Sequence, residues 1–397
     1  MNQTPVSQPV SQSVAQLHAS SVHSQHGYTL IELMVALALG LLISAAAIQL
    51  FITSQTTFSL QQGGADVQDS SIFGLELMSR NARMANYGGG RPIMNDFTPI
   101  GGIVLTSDSP KETARLGATI PVTVNLQSVK LSGAFVKDAL LTRGAGTPVG
   151  NAANNEWTGA SNVTVVGGSP AQSAQLVIQY RAPQDMFDCE GRTVRGPRMS
   201  NQAGDPLGET RDANGALMPA RMIDGDVVVE RYFLRKDNSS SVAVGENADR
   251  ALVLACDAGR YSVNNQKQIN ENAIALQDFG DAGVALMTRI DHFDIRLGVE
   301  VTPGRIRYYT VKDYLDIKPP VVAGAGVARP RLVSLQAAVL ARAQGKSANQ
   351  ALDPNMAYPM LDQQVKLTVP DSSGGNKSGY VRKVYGTTIA LRNGRGE

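Results

Sequence analysis

Residues 27–33 read GYTLIEL, and the chain then continues to Phe51 without another charged side chain. Leu, Ile, Val, Met and Ala dominate the 24 residues from Tyr28 to Phe51. As an α-helix they would extend about 36 Å, which is enough to cross the roughly 30 Å hydrocarbon core of a bilayer. The segment 28–51 therefore predicts a membrane-spanning helix.

Glu32 is the one formally charged residue of this segment. A carboxylate in hydrocarbon is costly, so an acid that is retained there usually marks a function. A position at headgroup depth would lower the penalty and is the plainer interpretation.

The sequence Gly-Tyr-Thr-Leu-Ile-Glu-Leu at the start of an apolar helix resembles the processing signal of type IV prepilins and of the pseudopilins of type II secretion. In that family a membrane peptidase cuts after the glycine and methylates the new amino terminus. The resemblance implies cleavage between Gly27 and Tyr28. It also implies an assembly role for Glu32, which in the family pairs with the terminal amine of a neighbouring subunit. Opposite charges attract strongly in a low dielectric, which supports this pairing.

Residues 1–27 are interpreted as a cytoplasmic leader that the peptidase removes. The segment 1–26 is rich in Gln, Ser, Val and His, contains no Lys or Arg, and has no apolar block of the kind found in secretory signal peptides. Prepilin leaders usually carry basic residues, so the positive-inside signal is weak here. A start codon further downstream is one alternative. A His-rich metal tract is another, but scattered histidines without other ligands do not favour it.

The composition predicts a large exported β domain. More than 300 of the 397 residues remain after the leader and the membrane helix, which suffices for a sizeable core. Charged residues make up 18% and there are 39 glycines, which suits a loop-rich β protein. In an exported chain, the pair Cys189 and Cys256 predicts one disulfide, which would constrain the unfolded chain by roughly 4 kcal/mol. Two buried free thiols are the alternative.

Residues 52–87 predict an amphipathic continuation of the helix. Apolar residues recur at three-, four- and seven-residue steps, and glutamines and charged residues fill the other face. Glycines at Gly63-Gly64 and Gly74 weaken a helix, so a bend or local melting is expected near Gly63-Gly64. The run 88–90 of three glycines, followed by Pro92, ends the helix.

Residues 88–397 predict the β-rich head domain, because the apolar periodicity shifts towards two and turn residues separate the segments. The predicted strands are 100–106, 122–131, 162–166, 175–181, 226–235, 250–256, 292–299, 304–309, 331–342, 365–369 and 383–392. A short helix is predicted at 311–317, and surface loops at 143–160, 184–220, 236–249 and 344–363. The predicted fold class is α+β, with a long N-terminal pilin helix packed on a large, mainly antiparallel β head.

The chain after Gly27 also resembles PilW-type minor pilins over most of its length. Residues 73–88 are similar to the end of the long helix in that family. In that family, one strand precedes the first half-cystine and a second strand carries the second half-cystine. A similar pattern is formed by residues 175–181, 188–191 and 252–256. Looser similarities lie at 290–298, 307–309, 331–335 and 384–393.

No constellation of residues favours catalysis, a cofactor or a metal. His292 lies between Asp291 and Asp294, but Asp291 would fall on the opposite face of a strand, and a second cysteine pair for zinc is absent from the sequence. Residues 144–150 have the wrong spacing for a dinucleotide loop, and residues 212–215 lack the glutamate of a calcium loop. We therefore expect a protein that is not an enzyme.

Nucleic acid is not a favoured partner either. Arg192, Arg195 and Arg198 with Lys236 would attract DNA, but they stand in loops among acids, and the formal net charge is only +2.

The resemblance implies a minor pilin that takes part in initiation and assembly of a type IV pilus, with roles in twitching motility and cell adhesion. The implied partners are the prepilin peptidase, the inner-membrane assembly platform, the major pilin and other minor pilins. The implied location is the inner membrane, with the head in the periplasm, and then the surface pilus. A minor pseudopilin of type II secretion and a pilus subunit for adhesion or DNA uptake are the alternatives. Retention of Glu32 argues against the tip pseudopilin that lacks this acid.

Overall fold

The computed structural model describes residues 27–89, 93–96, 98, 101–106, 136–199, 222–237, 250–261, 276–318, 329–347, 353, 355–368 and 379–391. The leader segment 1–26, the strand predicted at 122–131 and the turn at 212–215 lie outside the described residues. The chain divides into two compact units, and the boundary lies between Gln55 and Thr56.

A single long helix, α1, spans Leu30–Ala82. Every residue from Gly27 to Gln55 is exposed, and α1 contains a segment long and apolar enough to cross a membrane. In the second unit, residues of α1 at three- and four-residue spacing are buried, from Gly63 to Ala82. One face of this part of the helix therefore packs against the strands.

A bend or local melting is predicted near Gly63 and Gly64. The melting is wrong, because α1 is continuous through both residues. A Cβ atom at Gly63 would lie 3.1 Å from Ala343 Cβ, and one at Gly74 would overlap the side chain of Met287. Two of the glycines thus allow strands to approach the helix closely. This close packing offsets the lower helix propensity of glycine.

The helix ends earlier than the predicted limit of Tyr87. After Ala82 the chain forms turns with i to i+3 hydrogen bonds, in which Met84 N donates to Asn81 O at 2.9 Å and Tyr87 N donates to Met84 O at 2.8 Å. Asn86 has a φ of 67°. This left-handed conformation redirects the backbone before the glycine run is reached.

The second unit also contains sixteen described strands, one short α-helix, α2, at Val311–Asp316, and two 3-10 helices at Asp138–Leu140 and Ala152–Asn154. The strands are β1 Gly102–Ile103, β2 Val163–Val165, β3 Gln175–Arg181, β4 Met186–Phe187, β5 Thr193–Val194, β6 Arg198–Met199, β7 Met222–Ile223, β8 Val227–Lys236, β9 Leu252–Tyr261, β10 Val284–Thr288, β11 Ile290–Thr302, β12 Arg305–Tyr309, β13 Leu332–Ser347, β14 Tyr358–Met360, β15 Gln363–Leu367 and β16 Gly379–Ala390.

All described strand pairs are antiparallel. A five-stranded sheet has the order β1-β3-β8-β9-β10, a four-stranded sheet β12-β11-β13-β16, and a three-stranded sheet β14-β15-β2. Two short ladders join β4 to β5 and β6 to β7. The chain thus has the α+β architecture of one long apolar N-terminal helix with a large antiparallel β domain.

The largest core lies between α1 and the two larger sheets. Met78 and Ala82 of α1 pack there with Ile178 of β3, Cys256 of β9 and Leu335 of β13. The five-stranded sheet is also covered on its second face, where Val177 and Val229 are buried in a separate apolar cluster. Burial on both faces accounts for the three consecutive apolar residues Leu176, Val177 and Ile178 of β3.

The strand predictions succeed best where both faces are apolar. β3 has the predicted bounds of Gln175–Arg181. β9 continues five residues beyond the predicted end at Cys256, because Asp257 is buried in an ion pair with Arg231 of β8. The interpretation of 184–220 as a loop is incomplete, since β4, β5 and β6 lie within it.

Candidate functional site

The segment Gly27–Thr29 stands outside the helix and is exposed. The first described helical bond runs from Leu33 N to Thr29 O at 3.2 Å. The peptide bond between Gly27 and Tyr28 is therefore free of helical hydrogen bonds. A peptidase can reach it without unwinding α1.

Thr29 and Glu32 form a capping box at the start of α1. Thr29 N and Thr29 Oγ1 donate to Glu32 Oε2 at 2.9 and 3.0 Å, and Glu32 N donates to Thr29 Oγ1 at 3.3 Å. This reciprocal arrangement satisfies backbone donors that the helix start leaves open. Among the described residues, Glu32 Oε1 has no partner, so one carboxylate oxygen remains available to an external donor.

A disulfide joins Cys189 to Cys256, with their Cα atoms 6.2 Å apart. Cys189 lies in the connection between β4 and β5, and Cys256 is buried in β9. The bond thus fixes a short hairpin to the five-stranded sheet.

Glu230 lies beside the disulfide and has no exposed surface. Its carboxylate accepts hydrogen bonds from Tyr232 Oη at 2.6 Å, Tyr180 Oη at 3.0 Å and Cys189 N at 3.1 Å. Asn81 Nδ2, near the end of α1, donates to Glu230 Oε2 at 3.0 Å. Burial raises the pKa of Glu230, and these hydrogen bonds lower it in part. We refer to these five residues as the Glu230 cluster.

Comparison with known families addresses the amino-terminal segment. Residues 22–48 match the family model described as the prokaryotic N-terminal methylation motif. The chain carries this methylation motif. The motif supports a pilin or pseudopilin role, with processing by prepilin peptidase, assembly with other pilins and membrane anchoring through the apolar helix.

Among solved structures, a type IV-like pilin from Thermus thermophilus is similar to the chain at 12% sequence identity, over 56% of this chain and 79% of that one, with a TM-score of 0.23. A likeness at this level establishes no function. No curated protein matches the sequence.

Two groups of acidic or sulfur side chains in the described residues have the spacing of metal ligands. The sulfur atoms of Cys189 and Cys256, beside Glu230, are held in the disulfide and provide no thiolate. In the second group, Glu190, Asp257 and Asp281, arginine side chains pair with the acids. Arg231 Nη2 lies 2.8 Å from Asp257, and Arg192 Nη1 lies 2.9 Å from Glu190. Salt bridges therefore account for this group without a cation.

His292 is buried in β11 and does not form an acid–base group with its flanking aspartates. Its Nδ1 lies 2.9 Å from Ser161 Oγ. Asp291 instead forms ion pairs with Arg342 and Arg382. Burial and the nearby Arg296 lower the pKa of His292 to about 3, so the imidazole is neutral at physiological pH.

Two of the three arginines considered for DNA binding, Arg192 and Arg198, are engaged with acids. Arg192 lies 2.9 Å from Glu190 and 3.4 Å from Asp281, and Arg198 lies 3.5 Å from Asp226. Such paired guanidinium groups add little attraction for phosphate.

A cleft of about 400 Å³ lies over β11, lined by the loops 144–146 and 168–172. Two charged side chains form its floor, and Arg296 Nη1 lies 2.7 Å from Asp294 Oδ2. Arg296 also lies 2.5 Å from Asp362. The charges of the floor are thus already compensated within the protein.

Sequence reasoning missed the Glu230 cluster and the Arg231–Asp257 pair. The available signal was the sequence Glu230-Arg231 inside the apolar strand β8. A charged pair within such a strand indicates a buried polar network. Its partners lie far away in the sequence, so the local pattern does not identify them.

Proposed function

We propose that the chain is a PilW-like minor pilin of a type IV pilus, which takes part in initiating and assembling the fibre. The observation that carries this proposal is the match to the methylation motif at residues 22–48, which includes the start of the continuous apolar helix α1. Prepilin peptidase cuts between Gly27 and Tyr28 and methylates the new amino terminus at Tyr28. The exposed, non-helical backbone at Gly27–Thr29 supports access of the peptidase to this bond.

Glu32 takes the assembly role in this proposal. The capping box holds one carboxylate oxygen on Thr29, and the other oxygen faces no described partner. The free amine of Tyr28 from a neighbouring subunit would neutralise the carboxylate inside the apolar helix bundle. Either charge alone in that environment is unfavourable, so the pair forms only when subunits assemble.

The helix and the disulfide support the proposed location. The segment 28–51 anchors the unassembled subunit in the inner membrane, and the head lies in the periplasm. The Cys189–Cys256 disulfide suits this oxidising compartment. On assembly, the apolar face of the helix exchanges lipid for the helices of the major pilin and other minor pilins, with the assembly platform as a further partner.

The proposal is tested by exchange of one glycine in the native host. We expect Gly27→Ala to block cleavage, so that the leader persists and the protein is absent from sheared fibres. Gly40→Ala is the matched control, because it changes a glycine in the adjoining helix α1, where an added Cβ would meet no atom within 4 Å. Intact-mass measurement should find methylated Tyr28 at the amino terminus of the wild type and of the control.

Two results would contradict the proposal: an uncut leader in wild-type protein from fibres, or normal cleavage of Gly27→Ala. If deletion of the gene stops type II secretion and leaves surface pili intact, the protein is a pseudopilin instead.

A further inference from the structure

Strand β12, Arg305–Tyr309, lies at one edge of the four-stranded sheet. Among the strands that the structure describes, β11 alone pairs with it. Every residue from Val301 to Tyr308 is exposed, which covers the end of β11, the turn and most of β12. The hairpin formed by these residues therefore presents both of its faces to solvent.

The main chain on the outer side of β12 is unpaired. Glu300 N donates to Arg331 O at 3.0 Å, on the side of β11 away from β12. Ile306 stands opposite Glu300 in the register, so the two residues form a non-hydrogen-bonded pair. The N–H and C=O groups of Ile306 and Tyr308 therefore point away from β11, where no residue that the structure describes bonds them. Such a row of groups is a template for another strand.

The side chains of β12 give the edge one basic and one apolar face. Because side chains alternate along a strand, Arg305 and Arg307 share one face, and Ile306 and Tyr308 share the other. The Arg307 guanidinium lies 5.2 Å from the centre of the Tyr309 ring on the basic face. Ile306 is 44% exposed and Tyr308 37%, so apolar surface is also open to contact.

The two arginines of β12 are uncompensated. They are the only charged residues of the segment 301–309, and neither Arg305 nor Arg307 forms an ion pair with a residue that the structure describes. The acid that precedes the segment, Glu300, pairs with Arg331. The hairpin therefore carries two positive charges at its open edge.

The acids that follow β12, in helix α2, are engaged within their own segment. Asp316 pairs with Lys312 at 2.5 Å. Asp313 accepts a hydrogen bond from Thr310 Oγ1 at 2.7 Å. Neither acid pairs with an arginine of β12.

We infer that β12 accepts an added strand from a partner protein, namely an extended segment in which acidic and apolar residues alternate. The acids face Arg305 and Arg307, the apolar residues face Ile306 and Tyr308, and the partner's main chain bonds to the outer side of β12. Charges on an edge strand also discourage uncontrolled pairing, and here their sign selects an acidic partner.

A second copy of the chain fits this edge poorly. Antiparallel pairing of two β12 strands places Arg305 of one copy beside either an arginine or an apolar side chain of the other. Like charges opposite each other are destabilising, and the second register leaves both arginines without a partner. The acidic, alternating segment satisfies both faces at once.

A labelled peptide of the sequence Thr-Glu-Val-Glu-Val-Glu-Thr tests this surface. Fluorescence anisotropy measures its binding to the full-length protein in detergent micelles, and we expect saturation. A peptide with Lys in place of Glu should bind severalfold more weakly. A third peptide, with Pro in place of both Val, keeps the charges but loses main-chain donors, and it should also bind severalfold more weakly.

Charge reversal on the protein tests the basic face. Arg305→Glu with Arg307→Glu should weaken binding of the Glu-Val peptide by about tenfold or more, because repulsion replaces attraction at two positions. The same variant should bind the Lys-Val peptide more tightly than the wild type does. Arg80→Glu with Arg83→Glu is the matched control, since it changes the net charge equally at exposed arginines outside β12. The control should bind as the wild type does.

A proline substitution tests the main-chain contact. Ile306→Pro removes an outward N–H group and leaves the bonds to β11 in place, so it should weaken binding severalfold. Ile306→Thr keeps the N–H group and is the matched control. Unfolding followed by Trp157 fluorescence verifies that both variants are folded.

Four outcomes overturn the inference. Two are the absence of saturable binding to the wild type and equal binding of the Glu-Val peptide by the charge-reversed variant. A dimer of the full-length protein in micelles that Ile306→Pro dissociates would show that a second copy occupies the edge. Displacement of the peptide by a short DNA duplex that binds Ile306→Pro as tightly as the wild type would show that the arginines bind phosphate. These measurements do not involve cleavage at Gly27 or entry into fibres, so their failure leaves the proposed function intact.

Discussion

Asn81 Nδ2 donates to Glu230 Oε2 at 3.0 Å, across the interface between the end of α1 and the five-stranded sheet. Both side chains are buried. The same carboxylate accepts from Cys189 N, which lies next to the disulfide. One buried acid thus connects the long helix, the sheet and the disulfide-bonded hairpin.

Asn81→Ala should lower the free energy of unfolding of the head by about 2 kcal/mol, because it removes a donor from a buried carboxylate. Denaturant titration of the full-length protein in detergent micelles measures this. The fluorescence of Trp157, the single tryptophan and a buried one, reports on the head. Gln62→Ala, on the exposed face of α1, is the control and should change little.

Removal of the disulfide should have a larger effect. The bond closes a sequence separation of 67 residues. The entropy it removes from the unfolded chain corresponds to about 4 kcal/mol, so Cys189→Ser with Cys256→Ser should lower the free energy of unfolding by that order. Alkylation of the folded wild type without reduction should label neither cysteine. Labelling of both would show free thiols and reject the bond.

The pH dependence of stability should change when Glu230 is replaced. Its pKa is raised by burial, so the folded protein binds more protons than the unfolded chain above about pH 4.3. The Glu230 contribution to the free energy of unfolding is therefore favourable at low pH and falls as the pH rises through the raised pKa. Glu230→Gln removes this slope, so relative to the wild type the variant should gain stability as the pH rises above about 4.3.

The pH profile of the wild type alone does not isolate Glu230, because His292 has the opposite effect on the pH dependence of stability. Its lowered pKa, about 3, means that the unfolded chain takes up the proton first on acidification, which destabilises the fold below about pH 6.5. Glu76→Gln, an exposed acid on α1, is the matched control. Identical pH profiles for the wild type and Glu230→Gln would contradict the predicted role of burial.

Two glycines of α1 should respond in opposite directions to the same substitution. A Cβ at Gly64 meets no atom within 4 Å, whereas one at Gly74 overlaps buried Met287. Gly64→Ala should therefore stabilise the protein by up to about 1 kcal/mol through helix propensity. Gly74→Ala should destabilise it by about 1–3 kcal/mol through overpacking. Thermal unfolding of the two variants under one condition decides this, and equal shifts would contradict the packing geometry.

These glycines show which parts of the fold local sequence predicts. Periodicity locates α1 and the bounds of β3, because both signals are contained within one segment. Helix propensity alone predicts that Gly63 and Gly74 weaken the helix. Their packing partners, Ala343 and Met287, come from strands distant in the sequence, so the local sequence does not show why glycine fits there. A close approach between elements leaves no trace in the local pattern.

The same limit applies to the sites. The amino-terminal motif is contiguous, so the roles proposed for Gly27, Tyr28 and Glu32 could be predicted from the sequence. The capping hydrogen bonds of Thr29 required coordinates, although the spacing Thr-x-x-Glu is a known capping signal. The donors to Glu230 come from α1, β3 and the β4–β5 connection, and a sequence without coordinates cannot bring them together.

Separate substitutions distinguish the capping role of Glu32 from its proposed role in assembly. Glu32→Gln keeps an oxygen that can accept from Thr29 but removes the charge, so it should insert in the membrane normally and enter fibres about tenfold less well. Thr29→Val keeps the charge but removes the hydroxyl that orients it, and we expect a smaller loss. The ratio of protein in sheared fibres to protein in membranes measures both, with Gly40→Ala as the control. Equal incorporation of Glu32→Gln and the wild type would mean that Glu32 serves only to cap α1.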